Sequence, residues 1–92
     1  MLQLTQGWDA MNSLEQLLEF IGQLRENRIH FDLQSVRDAI MVTVRSPGTY
    51  YEIEFFADGH IELETLGRPT GVSSVTLQQI TSRVVDDLNG QR

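Results

Sequence analysis

Apolar residues recur at every second position between residues 29 and 65, and this alternation constrains the fold more than any other feature of the chain. A period of two places successive side chains on opposite faces of a β-strand. The tracts that share the pattern are Ile29, Phe31 and Leu33; Ile40, Val42 and Val44; Tyr51, Ile53 and Phe55; and Ile61, Leu63 and Thr65. The sequence therefore predicts four antiparallel strands with one apolar face.

The turn before the fourth strand decides which residues meet across the sheet. A two-residue turn at residues 58–59 would put Glu62 across from Phe55 and mix charge with core. A three-residue loop over residues 57–59, with its glycine in the left-handed bulge position, avoids this conflict. Together with a turn at residues 46–49, "SPGT", it keeps the apolar residues of three strands on one face.

Two segments have the apolar spacing of amphipathic helices. We predict that Ser13 caps the first helix with Gln16 completing a capping box, and that the helix ends near Asn27. We predict the same box for the second helix, at Thr76 and Gln79. The predicted stripes are Leu14, Leu17, Leu18, Ile21 and Leu24, widened by Phe20, and then Leu77, Ile80, Val84 and Leu88.

The predicted fold class is α+β. We expect a two-layer sandwich in which the four-stranded antiparallel meander carries the N- and C-terminal helices on one face, in the order α-β-β-β-β-α. Residues 66–74 are predicted as a loop. Residues 1–11 are predicted as an N-terminal extension, because Met11 offers a second translation start. Residues 12–92 are predicted as a single domain.

The amino-acid composition and charge argue against several classes of function. The 92-residue chain has no cysteine, so thiolate catalysis and cysteine-ligated metals are excluded. Its net charge of −6 argues against direct nucleic-acid binding. No apolar run approaches the ~18 residues of a membrane-spanning helix, and the N-terminus lacks the features of a signal peptide, so we expect a cytoplasmic protein that does not bind a membrane.

The face of the sheet opposite the core carries paired acids. The predicted register sets Glu54 beside Glu62 and Glu52 beside Glu64, and like charges in these positions are destabilising by part of the ~0.2–1 kcal/mol that such pairs are worth. Met41, Tyr50 and Phe56 lie on the same predicted face. The pattern predicts an acidic surface with apolar islands.

Several interpretations of this surface stay open. It is a solvated sheet face, a docking surface for a basic protein, or a homodimer interface that buries Tyr50 and Phe56. An edge strand offers a homodimer a second route. A metal site from His30, Asp32, Glu52 and Glu64, or a small metal-dependent hydrolase, is less favoured, because a flat sheet forms neither a closed ligand cage nor a cleft.

The stretch "YYEIEFFADGHIELE", with the preceding "IMVTVRSPG", resembles a group of small bacterial proteins of unassigned function. In that group a helix is followed by strands that end in a similar hairpin, and the likeness covers about residues 14–66. The size, acidity and layout are also similar to those of immunity proteins and other small inhibitors that neutralise a basic enzyme.

These resemblances imply a non-enzymatic bacterial binding protein with no cofactor and no catalytic residue to carry over. We expect its partner to be a basic protein. The electrostatic contacts would be Glu52, Glu54, Glu62 and Glu64, and the apolar anchors would be Tyr50, Phe56 and Met41.

Overall fold

The structure is a computed structural model that describes residues 11–46, 48–67 and 71–89. Two helices, α1 (Ser13–Glu26) and α2 (Leu77–Asn89), flank a run of strands. The strands are β1 (Phe31–Val36), β2 (Ala39–Ser46), β3 (Thr49–Phe56), β4 (Ile61–Gly67) and β5 (Gly71–Val75). They form one antiparallel sheet in the order β1-β2-β3-β4-β5. The α+β class is confirmed, and the predicted sheet was one strand short.

The two central hairpins have the predicted register. Val42 lies opposite Ile53, which in turn lies opposite Leu63. The three-residue loop before β4 is confirmed, since the Phe56 amide donates to the His60 carbonyl at 3.1 Å and Gly59 has a φ of 96°. Glycine adopts this left-handed conformation without the steric cost of a Cβ. The loop chemistry therefore sets which residues of β3 and β4 meet.

Strand β1 begins later than the alternation indicated and is shifted by two residues against β2. The alternation predicts rows that set His30 beside Thr43 and Asp32 beside Met41, whereas in the structure Asp32 lies opposite Thr43 and Gln34 opposite Met41. The shift comes from a two-residue turn at residues 37–38. A shift of two keeps every side chain on its face, so the hydrophobic pattern cannot detect it.

Strand β5 lies in the segment that was predicted as a loop. Its Val75 lies opposite Ile61 and its Ser74 opposite Glu62. The sequence "GVSSV" does not alternate between apolar and polar residues, which is why it gave no strand signal. It pairs because the outer edge of β4 presents backbone N–H and C=O groups that need partners.

The N-terminus of α1 is capped by Asn12, one residue before the predicted cap. The Asn12 side chain accepts from the Glu15 amide at 2.8 Å, and the Glu15 carboxylate accepts from the Asn12 amide at 2.9 Å. Ser13 instead donates its hydroxyl to the Phe56 carbonyl, and Gln16 donates its amide to the Gly59 carbonyl at 2.9 Å. The predicted box residues thus tie α1 to the β3–β4 loop.

The C-terminus of α1 lies at the predicted place. The Ile29 amide donates to the Leu24 carbonyl at 2.8 Å and the Arg28 amide to the Arg25 carbonyl at 3.0 Å, which is a Schellman motif. Arg28 holds the left-handed position, with a φ of 57°, after Asn27 as the C-cap. The buried pair of Leu24 and Ile29 supplies the hydrophobic contact that accompanies this motif.

Helix α2 begins as predicted. The Gln79 amide donates to the Thr76 hydroxyl at 3.1 Å, and the Thr76 amide donates to the Gln79 side chain at 2.9 Å. This reciprocal pair satisfies two donors that the first turn of a helix leaves without intrahelical partners. Of the predicted stripe, Ile80 and Val84 are fully buried.

The core combines residues of both helices with one face of β2, β3 and β4. The rings of Phe20 and Phe55 lie 5.8 Å apart at 40°, a tilted contact worth about 0.5–1.5 kcal/mol beyond the area it buries. The fully buried large side chains are Phe20, Leu24, Ile53, Ile61, Leu63, Ile80, Val42, Val44 and Val84.

The predicted stripe of α1 is narrower in the structure. Leu14 is 62% exposed and Leu18 is 55% exposed, so the buried part of the helix consists of Leu17, Phe20, Ile21 and Leu24. On β1, Leu33 is 51% exposed although its position lies on the core face. The predicted extension at residues 1–11 lies outside the described residues, apart from Met11.

Candidate protein-binding face

The four glutamates of β3 and β4 form two directly opposed pairs. Glu54 lies opposite Glu62 and Glu52 opposite Glu64, as the sequence predicted. We call the face that these four residues share the acidic face. All four are half-buried, because neighbouring side chains on the sheet cover part of each one. The register therefore concentrates four carboxylates on adjacent strands about 4.8 Å apart.

The acids are not neutralised within the part of the chain that the structure describes. Among these residues the ion pairs all involve a histidine, and of the four glutamates only Glu62 takes part in one. The arginine nearest in register is Arg45, opposite Tyr50, and its guanidinium carbon lies 5.3 Å from the centre of that ring. This cation–π contact holds the positive charge on the ring. The face is thus left with uncompensated negative charge.

The strands on either side complete the rows of the face. The row through Glu52 and Glu64 also contains Asp32, Thr43 and Val72. The row through the other glutamate pair contains Gln34, Met41 and Ser74. Sequence reasoning missed the contribution of β5, whose Val72 is 67% exposed and adds an apolar residue beside the acids.

The residues of the less favoured metal site are spread out. His30 precedes β1 and meets Asp32 at 3.8 Å, whereas Asp32 is separated from Glu52 by the whole of β2. Two strand spacings are roughly 10 Å, too far for ligands of one ion. In residues 11–46, 48–67 and 71–89 there is no group of three or more His, Asp or Glu side chains that could hold a metal ion.

The three expected apolar anchors differ in what they expose. Tyr50 and Phe56 are half-buried and lie at opposite ends of β3, so each offers part of a ring to a partner. Met41 is 9% exposed and lies opposite Glu54, where it forms part of the floor of the face. The rings, rather than the thioether, are the apolar surface that a partner can reach.

A histidine and two carboxylates border the acidic face at the β3–β4 loop. His60 Nδ1 lies 2.5 Å from an Asp58 oxygen and Nε2 lies 3.2 Å from a Glu62 oxygen. The ring stacks on Phe56, with centroids 4.2 Å apart and planes at 6°. From the sequence alone, His60 is most simply interpreted as a solvated turn residue. The spacing of acids two residues before and after it in a bulged hairpin was the available signal.

This cluster shifts the pKa values of two groups. The hydrogen bond that the imidazole donates to Asp58, supported by the one to Glu62, raises the pKa of His60 above its ordinary value of 6.5. The His60 amide donates to Asp58 at 3.0 Å and, with the imidazole, holds the pKa of that carboxyl below its ordinary value of 3.8. A protonated His60 therefore adds one positive charge at the margin of the acidic face.

A cleft among the described residues lies away from the carboxylates. It has a volume of about 340 Å³ and its lining includes Leu14, Leu17, Ile40 and Phe55, which are residues of α1 and of the core side of the sheet. The glutamates lie on the opposite side of the same strands. The acidic face itself is open, which suits contact with a large partner better than enclosure of a small substrate.

The described helices include none that is long and apolar enough to cross a membrane. The assignment of function rests on the residues of the acidic face, since no protein-family model, curated protein or solved structure matches this chain.

Proposed function

We propose that this chain is a non-enzymatic binding protein of the immunity or inhibitor type, which binds a basic protein partner in the bacterial cytoplasm through its acidic face. One observation carries the proposal: Glu52, Glu54, Glu62 and Glu64 are packed as two opposed pairs, and among the described residues the only ion pair to any of them is that of His60 with Glu62.

The proposal includes the arrangement of the two layers. Both helices would cover one face of the sheet and leave the acidic face open. In support, Phe20 of α1 contacts Phe55 of β3, and Ile80 of α2 belongs to the same buried cluster. The alternate residues of β3, Glu52 and Glu54, are absent from that cluster.

The energetics of the face favour a cationic partner. Opposed like charges on a sheet oppose folding, by a share of the roughly 0.2–1 kcal/mol that a cross-strand pair contributes. A partner that brings arginine or lysine side chains to Glu54 and Glu62 converts this repulsion into attraction. The negative field also accelerates encounter with a basic protein. Tyr50 and Phe56 supply ring surface of the kind that dominates binding energy at interfaces.

Binding fits this surface better than catalysis. A carboxylate that acts as a general acid needs a site that shields it from water and raises its pKa. The paired glutamates lie on an open sheet, and the cleft at Leu14 and Ile40 is on the other side of the strands. A homodimer through the acidic face is also disfavoured, because it would bring the carboxylates of two copies together.

The test begins with capture of the partner. The immobilised chain is incubated with lysate of the native host, and the bound protein is identified by mass spectrometry and purified. We expect a basic protein whose affinity falls as the salt concentration rises. Glu54→Lys/Glu62→Lys should weaken its binding about 100-fold, because like charges across an interface cost several kcal/mol.

A matched control separates the effect of the acidic face on binding from the effect of net charge. Glu19→Lys/Glu26→Lys makes the same change in net charge on exposed positions of α1 and should alter the dissociation constant by no more than about threefold. Circular dichroism checks that both variants are folded. Unchanged affinity and unchanged salt dependence in the Glu54→Lys/Glu62→Lys variant would refute the proposal.

A further inference from the structure

An apolar surface lies on α1 and β1. Of the five large hydrophobic side chains that are exposed among the described residues, Leu14, Leu18 and Leu33 lie on these two elements, and Leu66 and Val72 lie on β4 and β5. Leu14 also lines the 340 Å³ cleft together with Ser35 of β1. Arg25 of α1 lies over the Phe31 ring at the start of β1, 5.7 Å from its centroid, but farther along the strand, at Leu33 and Ser35, the core side of β1 has little cover.

The outer edge of β1 is open as well. β1 is an edge strand of the sheet, and no described strand pairs with its outer side. Natural edge strands are usually protected by lysine, proline, a bulge or short length. The six residues "FDLQSV" contain no lysine, no proline and no glycine, and Asp32 is their single charge. This edge is equipped to accept another strand.

The turn after β1 shows which backbone groups are available. Val36 and Ala39 close a two-residue turn, and in such a hairpin the closing residues exchange backbone hydrogen bonds. Hydrogen-bonded and non-hydrogen-bonded positions alternate along an antiparallel pair. The backbone groups of Phe31, Leu33 and Ser35 consequently point away from β2, toward the open edge.

We propose that a second copy of this chain docks on this edge, with β1 pairing antiparallel to β1 of the second copy about a twofold axis at Leu33. The resulting ten-stranded sheet would keep both core faces on one side only if odd-numbered residues meet odd-numbered residues. The register centred on Leu33 satisfies this condition and pairs Leu33 with its own symmetry mate. Leu14 and Leu18 of each copy would then close over the seam.

Charge complementarity favours a second copy as the occupant. In this register Asp32 faces Gln34 of the second copy, so the strand does not oppose like charges. Continued past the ends of β1, the same register would bring Arg28 near Asp38 of the second copy, and both side chains are exposed in the single chain. The symmetry makes two such pairs per dimer. The proposal does not depend on the function of the acidic face.

The test is sedimentation equilibrium of the full chain over about 1 μM to 1 mM, which brackets dimers of modest affinity. We expect a reversible dimer. Leu33→Lys should be monomeric throughout, because it places two lysines on the axis. Val72→Lys is the matched control, since it replaces another exposed apolar residue, 67% exposed against 51% for Leu33, on the other edge strand and should leave the dimer intact.

If Leu33→Lys does not fold, an exchange of the charges at Arg28 and Asp38 provides a second test. Arg28→Asp should raise the dimer dissociation constant about tenfold, and Arg28→Asp/Asp38→Arg should restore it. Deletion of residues 1–10, which carry Leu2, Leu4 and Trp8, should leave the dimer unchanged. The proposal is overturned by a monomer at all concentrations, by failure of the exchange to restore association, or by a dimer that the deletion either creates or abolishes.

Discussion

Arg28 adopts a backbone conformation that suits glycine better than arginine. Its φ of 57° places it in the left-handed region at the end of α1, where its amide completes the Schellman motif. A side chain with a Cβ is strained there by roughly 1 kcal/mol. The residue that ends the helix is therefore also a site of stored strain.

We predict that Arg28→Gly raises the free energy of unfolding by about 0.5–1 kcal/mol, because glycine adopts this φ without steric cost. Urea denaturation at two protein concentrations measures the change and separates it from any association. The control is Glu19→Gly on the exposed middle of α1, which should lower the same free energy by about 1 kcal/mol. Equal effects of the two substitutions would contradict the assigned conformation.

The shifted pKa of His60 makes the stability of the folded state depend on pH. Its raised pKa stabilises the folded state fully below the ordinary value of 6.5, and this stabilisation is lost as the pH rises through the raised pKa. The pH dependence that comes from Asp58 runs in the opposite direction. Its lowered pKa stabilises the folded state above pH 3.8, and this stabilisation is lost as the pH falls through the lowered pKa. The interaction between His60 and Asp58 therefore stabilises the folded state most between pH 3.8 and pH 6.5.

We predict that the imidazole of His60 titrates above pH 6.5 in the wild type and closer to 6.5 in Asp58→Asn. NMR chemical shifts measure both midpoints. Asparagine is a matched replacement because its side-chain oxygen can still accept from the His60 amide. The difference in unfolding free energy between the two proteins should shrink as the pH rises above 6.5. The same midpoint in both would exclude Asp58 as the cause.

At the scale of elements, the β3–β4 hairpin contains the opposed glutamates and also the loop that α1 holds in place. Ser13 and Gln16 of α1 donate to the carbonyls of Phe56 and Gly59, so the helix fixes the loop that sets the hairpin register. That register forces the glutamates into opposed pairs. The helix contacts thus help to maintain an arrangement of charges that the strands would not favour alone.

We predict that Glu52→Lys raises the free energy of unfolding by about 0.2–1 kcal/mol, because it converts the pair with Glu64 from repulsive to attractive. Thermal or urea denaturation at low salt measures the gain, and added salt should reduce it. Glu52→Lys/Glu64→Lys is the control, since it restores like charges and should remove the gain. A gain retained in the double variant would show that charge pairing is not its source.

At the scale of the whole molecule, the acidic face and the edge of the sheet at β1 are two separate surfaces. The glutamate pairs lie on β3 and β4 with the exposed Val72 beside them, while the exposed Leu14, Leu18 and Leu33 lie on α1 and β1. A twofold axis at Leu33 would place the acidic faces of both copies on the same side of one continuous sheet. The two proposals are then compatible, and a dimer would present two adjacent acidic faces to its partners.

The sequence by itself determined the parts of this fold that rest on local chemistry. The alternation in β2, β3 and β4, together with the bulged loop at residues 57–59, was enough to predict both central registers. The opposed glutamates follow directly from them. The capping box of α2 was likewise predicted, because a threonine and a glutamine three residues apart satisfy the first turn of a helix locally.

Only the tertiary structure decided the edges of the sheet. A shift of β1 by two residues leaves each of its side chains on the same face of the sheet. The turn that produces this shift has Arg37 at a φ of 49°, and arginine is not a residue type that predicts such a turn. β5 forms because β4 offers an unpaired edge, not because "GVSSV" has a strand pattern. The exposure of Leu14 and Leu18 depends on where the helix ends its contact with the sheet. Periodicity reports which side of an element is apolar, whereas packing decides how much of that side is covered.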